Sequence, residues 1–261
     1  MTDILIRGES MTSLFDTFSI RVMWTPELFV GLAFVGLLYM LLVTSWRSRF
    51  TNSEPVKTRQ KVFFFLGLFA LYLGWGSPLY ITGHLMISFH MLQMVFAYFI
   101  AVPLFLLGIP KWFLHAVINK YRNPFTIRLF KIVWSPIVAL FLFNGLFSFY
   151  HVPLMFDTLM QSAILHSMYE YALLFASFLM WWFMLTPLPV MTPLSDLKRI
   201  GYIFGNGLLI TPACALIIFA SSAMYSTYTD PLVWANVMAY CYQQELVFQL
   251  SFLLDQAHLH F

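Results

Sequence analysis

PLYITGHLMISFHMLQMVFAYFIAVPLFLLGIP, residues 78–110, is the stretch on which the fold reading turns. Beyond Met94 it is almost purely apolar as far as Gly108. Read as one helix, 83–108 is long enough to cross a bilayer, for which about 20 apolar residues suffice. Its entrance is different: His84, Met86, His90, Met91, Gln93 and Met94 crowd the first turns. Side chains of this kind inside a membrane are costly and call for a functional reason. A single helix turns about 100° per residue, so the two histidines and three methionines share roughly half its circumference. It would also set His90 about 10 Å deeper than His84.

The rest of the chain fits that environment. It has 261 residues, 61% hydrophobic and only 10% charged, with a mean hydropathy of +0.79. A soluble domain carries roughly a quarter charged residues, so the composition points to an integral membrane protein. The expected architecture is all-α: one polytopic helix bundle over 1–261, of about six or seven spans. The spans are placed at about 28–44, 62–76, 83–108, 132–150, 163–185 and 200–224, each bounded by turn or charged residues. Residues 232–254 are either a seventh span or an outer loop, because Asn236, Gln243, Gln244 and Glu245 interrupt them. Residues 1–24 lack the apolar core and small-residue site of a cleavable signal.

Orientation follows from the basic residues. Of fourteen Lys and Arg, all but Arg7 and Arg21 fall in the loops after spans one, three and five. Cytoplasmic loops collect Lys and Arg, which places the N-terminus outside the cell. His84, His90, His151 and His166 then gather at the outer ends of three spans. Glu170 follows His166 by four residues and shares its helix face. A carboxylate beside an imidazole suits the outer shell of a metal, a proton relay or a structural pair. Imidazoles and thioethers without thiolates favour Cu(I) over hard cations or structural zinc. Met155, Met160 and Met168 add thioethers nearby. Taken singly, a histidine here could equally satisfy a neighbouring helix, and methionine is a common gap-filler.

Other residues read as structural. Pro103 and Pro136 are expected as tolerated kinks, and Gly201, Gly205 and Gly207 as sites of close helix packing. Trp181 and Trp182 suggest an aromatic belt, and Asn144 an interhelical hydrogen bond. Walker, GxGxxG, CxxC, CxxCH and HExxH patterns are missing. Cys214 and Cys241 form no close pair. Neither an enzyme nor a nucleic-acid binder is indicated.

Two blocks carry a family resemblance. GHLMISFHMLQMVFAYFIAVPLFLLGIP, with His84, His90, Met91, Gln93, Pro103, Gly108 and Pro110, resembles the third-span signature of the CtaG family of cytochrome c oxidase assembly factors, the type linked to caa3 oxidase. FYHVPLMFDTLMQSAILHSMYEYALLFASFLMWWFMLTPLP, with His151, Pro153, Asp157, His166, Glu170 and Trp181-Trp182, is similar to a second block of that family. The resemblance implies a multi-pass protein of the bacterial cell membrane that helps to make a copper- and haem-containing oxidase. Its implied partners are the oxidase subunits and the lipid bilayer. On this reading Cu(I) is held by His84, His90, His151 and His166, with Met91 and Met94 as soft ligands. Glu170 and Asp157 form the outer shell, and the copper passes to the oxidase. The family commonly continues from an Asp-Gln motif into a last span. Here Asp255-Gln256 lies almost at the end, which favours 232–254 as an outer loop and a final helix beyond it.

Three alternatives stay open. A haem-binding membrane cytochrome needs two facing histidines, which His90 with His151 or His166 could supply. A copper or small-molecule permease needs polar residues through the whole membrane, and the inner halves of spans three and five have few. A metal-free scaffold for oxidase subunits needs none of the histidines.

Overall fold

A computed structural model of the chain describes residues 18–120, 135–185 and 194–241. These residues form helices and turns, with no strand among them. In chain order the helices are α1 (Ile20–Trp24), α2 (Pro26–Val43), α3 (Thr58–Trp75), α4 (Pro78–Leu85) and α5 (Ile87–Met94). A π-helical turn (Val95–Ala101) leads into α6 (Val102–Gly108). Then come α7 (Lys111–Lys120), α8 (Pro136–Tyr150), α9 (Pro153–Met160), α10 (Ala163–Leu185), α11 (Asp196–Ile218), α12 (Ser226–Thr229) and α13 (Pro231–Cys241). Five segments are long and apolar enough to cross a membrane: Ile20–Val43, Thr58–Leu85, Ile87–Gly108, Ala163–Leu185 and Asp196–Ile218. A sixth exists if α8 and α9, bent by 78°, count together.

The axis of the bundle is Val95–Gly108. Ala97, Tyr98 and Ala101 are fully buried, with α3 along one side and α10 along the other. Pro103 offers no N–H, so a carbonyl one turn earlier must find another donor. The helix widens into its π-turn there, and the Tyr98 carbonyl accepts from Ser177 Oγ at 2.7 Å and Trp181 Nε1 at 3.0 Å. Trp181 is therefore an inward hydrogen-bond donor and Trp182 is buried; the expected aromatic belt is not formed by this pair. Pro136 opens α8 at its first position, where a missing N–H costs nothing, so it makes no kink. Among the described residues, Gly201 and Gly207 approach no neighbour and Gly205 only Leu140; α11 buries Tyr202 and Ala213 instead. Asn144 does bridge helices, donating to Asn206 Oδ1 at 2.7 Å.

Basic residues collect at one end. Tyr39 donates to the Gly108 carbonyl at 2.9 Å, and Trp112 Nε1 to the Glu54 carbonyl at 3.1 Å. The first bond ties α2 to the end of α6, and the second ties the loop between α2 and α3 to the segment after Gly108. That segment is the amphipathic helix α7, with Trp112 and Leu114 buried, where a loop was expected. Arg122, Arg128 and Lys131 lie outside the described residues. So do Ile132, Gln243, Gln244, Glu245, Asp255-Gln256, His258 and His260.

The largest departure concerns 78–110. The expected continuous helix over 83–108 breaks at Met86, whose backbone is extended (φ −144°, ψ 128°). Ser77 accepts from the Leu79 N–H and Pro78 takes the first position, so α4 starts as a helix of its own. It ends where Tyr228, 145 positions away, donates to the Gly83 carbonyl at 2.8 Å. That carbonyl is one of those a helix end leaves unmet. Gly83 lets α4 fold against α5: a Cβ there would lie 2.8 Å from Gln93 Oε1 and 3.2 Å from the His90 Cα. His84 and Met86 thus do not share a helical face with His90. The spacing argument that joined them fails, and tertiary packing replaces it. The sixth expected span likewise stops at Ile218 instead of Met224, and Pro231–Cys241 is a separate helix.

Candidate functional site

Four helices deliver the histidines to the end of the bundle opposite the basic loops. His84 sits in the last turn of α4 and His90 in the middle of α5. His151 closes α8, because Pro153 forces the preceding residue into extended backbone. His166 lies in the first turns of α10. All four side chains are buried, as are Gln93 and Glu170.

The four are not all in mutual ring contact. Among the described residues, no three His, Cys, Asp or Glu side chains are arranged to hold a metal ion. They fall into two pairs. His84 and His166 face each other with ring centroids 5.5 Å apart. His84 Nδ1 is 2.8 Å from the Tyr80 carbonyl. His166 has Nε2 at 2.8 Å from the Tyr150 hydroxyl and Nδ1 at 3.5 Å from the Tyr80 hydroxyl. Glu170 Oε2 lies 3.9 Å from the same Nδ1, and its Oε1 accepts from Gln93 Nε2 at 2.9 Å. This pair is woven into a hydrogen-bonded wall.

His90 and His151 make the second pair, with centroids 6.0 Å apart. His151 Nδ1 is held 2.7 Å from the Phe147 carbonyl, and its Nε2 has no hydrogen-bond partner. Neither ring nitrogen of His90 has one. Aromatic rings hold His90 in place: Tyr150 stacks on it at 5.5 Å and 5°, and Phe156 meets it edge-on at 5.3 Å. A buried polar atom without a partner costs about 1–3 kcal/mol. Three such nitrogens lie on these two adjoining imidazoles.

The remaining expected site residues divide as well. Met94 is buried in the apolar cluster that includes Tyr150, Phe156 and Met160, and Met91 packs against that cluster. Asp157 is occupied elsewhere. Its carboxylate accepts from the Ser226 N–H at 3.0 Å, the Thr227 N–H at 2.9 Å and Thr227 Oγ1 at 2.7 Å. It thereby clamps α12 across the end of the bundle. Tyr225 then donates to the His151 carbonyl at 2.9 Å and packs on Phe156 at 4.4 Å, lidding the second pair.

Sequence reasoning missed Tyr80, Tyr150, Tyr225 and Tyr228, which position the histidines. One signal was available: Tyr80 stands four residues before His84, and Tyr150 stands beside His151. Gln93, three residues from His90, shares its helical face.

A family model described as cytochrome c oxidase caa3 assembly factor (Caa3_CtaG) matches residues 37–257, which include every residue of the pocket. No curated protein and no solved structure matches the chain. This helical membrane protein belongs to the Caa3_CtaG family of cytochrome c oxidase assembly factors.

Proposed function

We propose that the chain helps to assemble cytochrome c oxidase by holding Cu(I) between His90 and His151 and passing it to an oxidase subunit. The observation that carries this reading is His90, fully buried with both ring nitrogens unpartnered beside the open Nε2 of His151. Metal–imidazole bonds of about 2.0–2.1 Å put the centroids of two rings on one ion roughly 5.5–6.5 Å apart. The observed 6.0 Å falls in that range. Cu(I) accepts two or three ligands and favours thioethers, which Met94 or Met160, in the surrounding cluster, would offer. Divalent metals that want four ligands suit a two-histidine site less well.

A haem would need an open slot beside an axial histidine. Tyr150 and Phe156 are packed directly against His90. The bias of basic residues to one end supports a cytoplasmic position for that end. The pocket and the N-terminus then face outward across the bacterial cell membrane, where a non-catalytic carrier would meet the oxidase.

The test is oxidase assembly in cells that depend on this chain. His90→Leu and His151→Leu should leave haem-containing but copper-deficient oxidase, while Ser88→Ala supports full activity. Normal oxidase copper content in both histidine variants would leave a metal-free scaffold as the function.

A further inference from the structure

A cavity of about 460 Å³ opens on the flank of the bundle and is lined by Arg21, Glu27, Trp75, Tyr80, Ser167 and Glu170, among others. Its mouth is at α1 and the start of α2, where Arg21 pairs with Glu27 at 2.6 Å in the open. Its floor is Tyr80 and Glu170, the two side chains that flank His166 Nδ1 at 3.5 and 3.9 Å. Behind them, His166 leads through the Tyr150 hydroxyl to the ring that stacks on His90. The end of the bundle, by contrast, is roofed by Tyr225 and Phe156 over His151 and His90.

We propose that this flank cavity is the port through which a soft monovalent metal cation reaches the histidine pocket. The walls suit a cation. They present carboxylate oxygens at mouth and floor, the Glu27 one paired with Arg21, together with Ser167 and the aromatic rings of Trp75 and Tyr171, which meet edge-on at 5.4 Å. The Arg21–Glu27 pair is exposed to solvent, where ion pairs hold weakly, so the contact opens readily. The identity of the cation rests on the function proposed above; the route does not.

The test uses the full chain in detergent or vesicles, with Cys214→Ser and Cys241→Ser. Ser167→Cys and, separately, Thr25→Cys place a thiol on the cavity wall, which a bulky cationic thiosulfonate then plugs. Ser88→Cys, on a different cavity lined by Tyr225 and Tyr228, is the control. Two rates are read: carbethoxylation of His166 by diethyl pyrocarbonate, followed by peptide mass, and loading with Cu(I) under ascorbate. Plugging Ser167→Cys or Thr25→Cys should slow both by about tenfold or more, equivalent to about 1.4 kcal/mol of added barrier. Plugging Ser88→Cys should slow neither. Unchanged carbethoxylation after plugging either wall, or a block produced only from Ser88→Cys, overturns the port. If plugging stops carbethoxylation while no sample binds Cu(I), the port stands and the copper reading falls.

Discussion

The two histidine pairs are made of the same residue types at the same end of the same bundle, yet His166 in one and His90 in the other stand in opposite hydrogen-bonding surroundings. His84 and His166 have polar partners on Tyr80, Tyr150 and Glu170. His90 and His151 are just as buried but keep three ring nitrogens unpartnered. A satisfied buried imidazole stiffens a wall, because removing it orphans its partners. An unsatisfied one is a standing cost that a buried water or a ligand offsets. Hydrogen-bond satisfaction separates His166, with a partner at each ring nitrogen, from His90, with none.

The most severe challenge to both pairs at once is Gly83→Val. The new Cβ would press on Gln93 and His90, and overpacking of this kind costs about 1–3 kcal/mol. A β-branched residue at this contact should reach the upper end, measured as lost thermal stability in detergent. Next is a contrast of sign in the metal-free protein. His90→Leu removes two unmet nitrogens and should hold or raise stability by about 1–3 kcal/mol. His166→Leu removes the bond to Tyr150 and should lower stability by about 1–2 kcal/mol. Equal losses in the two variants would erase the distinction between the pairs. The smallest effect is expected for Tyr228→Phe. Losing the bond to the Gly83 carbonyl should cost about 1 kcal/mol and loosen the break at Met86, read as faster amide exchange at Ile87 to His90.

Much of the fold was legible because lipid imposes a simple rule: long apolar runs must be helices. The span over 163–185 coincides with α10, and the block of basic residues separates one end from the other. The break at Met86 was not legible. Neither proline nor glycine stands at that position, and the device that fixes it, Tyr228 on the Gly83 carbonyl, comes from 145 residues away. The candidate site was legible as a set of residue types and not as an arrangement. Helical spacing put His84 and His90 on one face, whereas the chain folds back and pairs each with a histidine from another helix. Asp157 looked like a site carboxylate because of its neighbours in sequence. Its real partners, Ser226 and Thr227, are about seventy positions on. Likewise Trp181 looked interfacial because the carbonyl it serves, on Tyr98, is exposed only by the π-turn before Pro103.

The most direct test of a receptive His90–His151 pair is the copper content of the purified chain under reducing conditions, compared with His90→Leu and His84→Leu. The expected result is stoichiometric Cu(I) in the parent chain, loss in His90→Leu, and retention in His84→Leu. Equal copper in all three, or none in the parent, would contradict it.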